Sequence, residues 1–370
     1  MSHPDVHVSP LTTKAVKDFT DCQQLWLWRH GLGYAPREPN KRTLVRALVR
    51  AGLSTYYAPE AIGAGDGTVH RRMGFHTQWN TRALIDGLTQ AADGLLAGIR
   101  DRNNGLLPPV ADEAFELAVG VLEQYGRWAP KNDEFSVVAV NHPVVAVVAQ
   151  GISLVDTVDL VLGSSMSEPS LVMLHRLYSS IPSGAAHMQH DFRAHMLMWA
   201  ASEDAQFPLR VRSGTPLWFN EIRKAVPSPP RTLKSGELSK DKRQNTTREL
   251  YIEEISRRGL SPSDYHDIIE ALDPNKFNTR HWLYVDDDML DYVHMYVHAV
   301  ASRMALCAET EGAWQIIHEW GSRCSYCDYL DLCQSLRHMQ CVRGLLSSRY
   351  FKWREDNATN EFGGPVLGSA

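Results

Sequence analysis

The sequence predicts an α/β fold in which a mixed central sheet is flanked by helices. Three observations predict it. Residues 1–134 carry helical periodicity, a block of β-branched runs begins at Phe135, and amphipathic helices return after residue 248 and end in a cysteine cluster. A chain of 370 residues can bury a sizeable core, and the segments are taken as one integrated domain.

In order, residues 16–28 place Phe19, Cys22, Leu25 and Trp26 at helical spacing, and residues 43–57 repeat the pattern with Leu44, Leu48 and Leu53. A further amphipathic helix is expected over 80–100. Asp112 then stands as N-cap of a helix to Tyr125 that turns Phe115, Val119 and Leu122 inward. From 135 to 222 the runs FSVVAV, PVVAVVA, ISLVDTVDLVL and PSLVMLHRLY read as consecutive strands, followed by a helix over 185–202 and a short strand, PLRVRSG. Residues 223–248 hold eight Lys or Arg against two acids in a Pro/Ser/Gly-rich setting and read as a basic loop. Helices are expected over 249–256, 262–272 and 287–311 within a C-terminal part spanning 249–355, and a polar tail over 356–370.

A net charge of −5 offers no overall attraction to nucleic acid, so contact with DNA has to come from a local basic patch. The first residues lack a signal-peptide pattern and the longest apolar run is broken by Asn141-His142-Pro143, so a cytoplasmic protein with no membrane partner is expected. No P-loop or Gly-x-Ser-x-Gly elbow is present, which argues against those ATPase and hydrolase classes. The acidic run YVDDDMLD lacks the spaced ligands and glycine of a calcium loop and reads as a helix N-terminus.

Six cysteines in a reducing compartment do not suggest disulfides. Cys324, Cys327 and Cys333 stand as Cys-x2-Cys-x5-Cys, a spacing that lets three thiolates converge on one ion or cluster. Cys22, Cys307 and Cys341 are the candidates for a fourth ligand. The bland alternative is a set of buried small hydrophobes, and zinc and iron both accept four thiolates.

A cysteine in the N-terminal helix, in DFTDCQQLWLWRHG, followed near the C-terminus by Cys-x2-Cys-x5-Cys, resembles the iron–sulfur clasp of the RecB-like PD-(D/E)XK nucleases. That group includes helicase-associated nuclease subunits and CRISPR-adaptation exonucleases. The resemblance implies a restriction-endonuclease-like core whose N- and C-terminal helices are joined by a 4Fe-4S cluster on Cys22, Cys324, Cys327 and Cys333. Structural zinc is the alternative. It also implies DNA as a partner, with a protein partner in a DNA-processing complex as a further expectation.

Cleavage in this family uses magnesium or manganese on a histidine and two acids, with a lysine beside the attacking water. VDTVDLVL is similar to the motif that supplies one acid, which puts Asp159 at the ligand position and Asp156 where glycine is common. LVMLHRLYSS resembles the strand ending in acid and lysine, which puts Leu174 and Arg176 at those places. A one-residue shift offers His175 and Leu177 instead. Arg50, in RALVR, stands at the family's upstream histidine, and Asp191 and His195 stand at its Gln-x-x-x-Tyr positions. Leucine cannot ligate a metal and arginine stays protonated, so the resemblance implies an impaired centre, a pseudo-nuclease. The alternatives are an active exonuclease with a rearranged site that uses Asp156, Asp159, Asp191, His175 and His195, and a structural subunit that binds proteins without DNA. Arg46 and Arg50 on one helix, with Arg231, Lys234, Lys240, Lys242 and Arg243 in the loop, are the candidate phosphate contacts.

Overall fold

The computed structural model describes residues 8–58, 77–102, 105–165, 168–309, 321–338 and 340–352, so the polar tail lies outside the described residues. Helix α1 spans Thr13–Asp21, with Thr12 Oγ1 accepting from the Ala15 N–H at 3.0 Å. It stops at Asp21, well short of the expected end at residue 28, because Cys22 is extended at φ −166°, ψ 109°. A second short helix α2, Gln23–Trp26, then runs into a π-turn over Leu27–Gly31. The single helix expected over 16–28 is therefore broken at the cysteine. After β1 (Tyr34–Pro36) come α3 (Lys41–Tyr57), α4 (Thr77–Arg102) and α5 (Val110–Trp128). Asn40 caps α3 through its side chain, and Leu44, Leu48 and Leu53 are fully buried, as their spacing requires. Asp112 sits in the first turn of α5 and does not cap it; Pro109 holds that position.

The sheet is built from β2 (Ser136–Ala149), β3 (Ile152–Ser165), β4 (Glu168–Tyr178), β5 (Pro216–Arg223) and β6 (Asn278–Tyr284), in that spatial order. Only β4 and β5 run parallel. The crossover between them carries α6 (Phe192–Glu203), the kind of connection a parallel pair needs. Three expectations are corrected here. FSVVAV and PVVAVVA form one strand, because β2 is an edge strand and tolerates Pro143, which has no N–H to give to a ladder. PLRVRSG is not a strand: the Thr215 N–H bonds to the Arg212 carbonyl at 2.9 Å and Gly214 at φ 85° turns the chain. The strand is the following PLWFNEIR, and the fifth strand, β6, lies outside the segment 135–222 assigned to the sheet.

Between β5 and β6 the basic loop runs into α7 (Arg248–Arg257) and α8 (His266–Ala271), which close over a small core of Leu238, Tyr251, Ile255, Tyr265 and Ile268. Helix α9, Asp287–Glu309, begins with Asp286 Oδ1 accepting from the Met289 N–H at 2.6 Å, which accounts for the acidic run. Two apolar layers result. One face of the sheet packs on α3, α4 and α5 through residues such as Leu48, Leu122, Leu160 and Met173; the other packs on α1, α6 and α9 through Val16, Leu174, Leu197 and Val297. The chain ends in α10 (Leu330–Arg337), α11 (Arg343–Arg349) and β7 (Tyr350–Lys352).

Candidate functional site

The two ends of the chain are stitched together. β7 pairs antiparallel with β1, Tyr34 opposite Lys352 and Pro36 opposite Tyr350. Tyr329 Oη donates to the Tyr34 carbonyl at 2.6 Å, and Asp328 receives Asn40 Nδ2 at 2.9 Å and Arg29 Nη2 at 3.3 Å. Tyr329 and Tyr350 stack with centroids 5.5 Å apart, and with Trp28, Leu332 and Cys333 they form a separate small core.

Four cysteines gather at this seam. Cys333 is buried; Cys22, Cys324 and Cys327 are half-buried. Burial first, then the neighbouring sulfurs of Cys327 and Cys22, push the Cys333 thiol up to about 12; the Trp28 side chain hydrogen-bonds to it and opposes the rise, and Cys324 adds to it. Burial likewise raises Cys327, eased by a hydrogen bond from the Tyr329 backbone N–H and raised again by Asp328 and Cys22. Cys307 lies on α9, where burial raises its thiol and Arg303 lowers it, and Cys341 is exposed. Among the described residues no three His, Cys, Asp or Glu side chains stand as a closed ligand set. Cys22, Cys324 and Cys327 are neighbours of Cys333.

The second region lies where α3 crosses β3 and β4. Asp159 is 3% exposed; Arg50 forms an ion pair with its Oδ1, and its Oδ2 accepts the His175 backbone N–H at 2.8 Å. Burial would raise this carboxyl, but Arg50, His175 and the two hydrogen bonds hold it well below the usual carboxylate range. Leu174 faces the apolar layer beneath α6 and is fully buried. Asp156 turns to other partners: it accepts from the Thr13 N–H at 3.0 Å and faces Arg193 Nη2 at 3.7 Å. Arg176 Nε donates to Asp191 Oδ2 at 2.6 Å, and Asp191 Oδ1 caps α6 through the Ala194 N–H at 3.0 Å. Each of the three aspartates thus has its own arginine. His195 is buried within α6, and burial lowers its pKa more than the nearby Asp191 raises it.

Sequence reasoning missed the polar core that continues from His175. Its ring stacks on Tyr57 at 5.8 Å, and its Nδ1 lies 2.9 Å from Asn220 Nδ2. Asn220 donates to Tyr125 Oη at 2.9 Å, Tyr125 and Tyr57 share a hydrogen bond of 2.5 Å, and Tyr57 reaches Asp133 at 3.2 Å. Arg280 closes the chain with an ion pair to Asp133 and a 2.6 Å bond to the Asn132 carbonyl. Burial pushes the His175 pKa down to about 4 against the pull of Asp159. Glu221 of β5, fully buried, receives His187 and, at 2.8 Å, His281 Nδ1. The signal available in the sequence was the polar pair Asn220-Glu221 inside an apolar run, which marks a strand with buried partners to satisfy.

The basic candidates divide. Arg231, Lys234, Lys240, Lys242 and Arg243 are exposed. Lys240 Nζ donates to the Asp264 carbonyl at 2.7 Å, and Arg243 pairs with Asp241 at 3.2 Å. Arg46 lies instead on α3 beside Arg50, near Arg42, Arg176 and Arg193. No helix among the described residues is long and apolar enough to cross a membrane. No family model matches the chain, and no curated protein matches it either.

Proposed function

We propose that the chain is a DNA-binding protein on a RecB-like nuclease scaffold whose cutting centre has been replaced by arginine–aspartate pairing, with a 4Fe-4S cluster fastening its two ends. The observation that carries the loss of cleavage is the saturation of Asp159. Both carboxylate oxygens already hold a donor, and the neighbouring acid position is Leu174, which offers none. Magnesium or manganese needs several oxygen ligands, so these residues do not fit such an ion.

The cysteine seam fits a thiolate-bound cluster better. Cys22, Cys324 and Cys327 all lie near enough to Cys333 to raise its thiol pKa, and Cys22 acts likewise on Cys327. A bound cation reverses that penalty. The Tyr329 N–H and the Trp28 side chain are directed at sulfur, the type of hydrogen bond that tunes iron–sulfur centres. Such a group would supply structural cross-linking; Cys22, Cys324, Cys327 and Cys333 would hold it, and zinc is the chemical alternative.

Two assays on the full chain test this. Labelled single- and double-stranded DNA, incubated with manganese, is expected to be bound in a salt-dependent way and left intact. Degradation that disappears in Asp159→Ala would restore the active exonuclease, and no binding even at low ionic strength would leave a protein-binding subunit. Metal and acid-labile sulfide analysis of anaerobically purified protein is expected to find iron and sulfide, lost in Cys22→Ser. Zinc without sulfide would reassign the centre, and loss only on replacing Cys341 would reassign the fourth ligand.

A further inference from the structure

Arg42, Arg46 and Lys224 have no acidic or hydrogen-bonding side-chain partner among the described residues, and they lie together. Arg42, Arg46 and Arg50 follow one another at four-residue spacing along α3, so they share one face of that helix. The contact of Arg50 with Asp159 fixes that face against β3. Lys224 follows β5 directly, and its backbone N–H bonds to the Tyr178 carbonyl at 2.7 Å, where the parallel strands β4 and β5 both end.

The charges feel one another. Arg46 is exposed yet surrounded by other cations. Partial burial first, then Arg193, Arg50, Arg42 and Arg176, lower its guanidinium pKa to about 10. Lys224 is lowered by burial and then by Arg42 and Arg46. Arg176, whose Nε holds Asp191, keeps one buried nitrogen, Nη2, without a hydrogen-bond partner. Against the six cations Arg42, Arg46, Arg50, Arg176, Arg193 and Lys224 stand the three aspartates 156, 159 and 191, each already paired. Unneutralised like charges beside one another repel, and an anion that lands among them removes the repulsion.

We propose that Arg42, Arg46 and Lys224, backed by Arg176, form a binding site for a phosphate monoester. The surplus of three positive charges selects the monoester over an internal phosphodiester. A diester carries a single negative charge, whereas a monoester near neutral pH carries about −1.5 to −2 and three terminal oxygens that accept from forked guanidinium groups. The positive end of the α3 dipole, beside Arg42, adds to the same preference. The site stands independently of the DNA reading, since a nucleic-acid end and a free monoester present the same group.

The test uses the full chain at low ionic strength. Binding is measured for orthophosphate by calorimetry, and for oligonucleotides ending in a 5′-phosphate, a 3′-phosphate or hydroxyls by fluorescence anisotropy. A phosphate-ended strand is expected to bind about tenfold more tightly than the hydroxyl-ended one, with orthophosphate competing. The Arg46→Gln/Lys224→Gln pair should abolish the difference and Arg46→Lys should keep much of it; both positions are solvent-accessible, and unchanged thermal melting confirms that the variants fold. Orthophosphate binding that the double variant removes, without discrimination among strands, supports the site and identifies a free monoester as its source. Equal binding of all strands, lost together in the double variant, with no binding of orthophosphate, overturns the monoester proposal in favour of an internal diester contact and leaves DNA binding standing. Wild-type and double-variant proteins that handle every probe alike overturn the site altogether.

Discussion

Asp159 and His175 show how burial and pairing set the charge of two adjacent groups. A carboxylate buried this deeply needs a cation beside it, and Arg50 supplies one. The same low-dielectric surroundings hold His175 neutral. Its folded pKa is about 4, below the ordinary 6.5, so the native state refuses a proton that the unfolded chain accepts. Stability from this group is therefore complete above about pH 6.5 and declines as pH falls from there toward 4, by about 3 kcal/mol over the whole window. Urea unfolding at pH 7 and pH 5 is expected to show this loss, and His175→Gln should flatten it. An unchanged pH slope in that variant would place the acid sensitivity elsewhere.

Among elements, α3 and α5 are the pair that carries the polar core, since α3 contributes Arg50 and Tyr57 and α5 contributes Tyr125. Their close approach depends on Gly52, where an added side chain would run into the buried Leu122. Gly52→Val should cost about 1–3 kcal/mol by overpacking, read as a lowered unfolding midpoint. A midpoint equal to the parent would mean that Leu122 has room to move. The elements legible in the sequence were those with one strongly patterned face, α3, β3 and β4; in α5 Leu122 faces inward as expected, but Phe115 and Val119 are half-buried and Ala114, Ala118 and Val121 take the inner positions. The strands β5 and β6 were hidden. β5 buries Asn220 and Glu221 against side-chain partners far away in sequence, and β6 is an edge strand whose outer residues, Trp282 and Tyr284, are 57% and 61% exposed. The break of α1 at Cys22 was hidden too, because periodicity reports which residues face inward and not where the backbone turns.

At the scale of the molecule, the seam of β1, β7, α10 and the four cysteines closes nearly the whole chain on itself. Cys22 and Cys333 are separated by roughly three hundred residues. In the chain-entropy model a cross-link that closes a loop of that length restrains the unfolded state by about 6 kcal/mol. In protein that carries the proposed cluster, Cys22→Ser is therefore expected to lower the thermal midpoint by on the order of 10 °C, while Tyr329 and Asp328 still hold the strands β1 and β7 in place. A midpoint unmoved by Cys22→Ser, in protein shown to carry metal, would mean that the ends are held by the hydrogen bonds and stacked tyrosines alone. The net charge of −5 gives this molecule no general affinity for polyanions. Its recognition of phosphate has to be concentrated, as it is around Arg42, Arg46 and Lys224.

The sequence by itself determined the mixed α/β class, the helices α3 and α5, the strand block that becomes β2 to β4, and the cysteine spacing. These are local properties: periodicity, spacing and residue chemistry are written along the chain. Only the tertiary structure decided which arginine meets which aspartate, that Cys22 lies beside Cys327 and Cys333, and that a polar chain from His175 to Arg280 runs through the core. It also decided which cations remain unpaired. Pairing of buried charges depends on contacts between residues 15 to about 300 positions apart, and the energy of such a contact comes from the surroundings that folding creates.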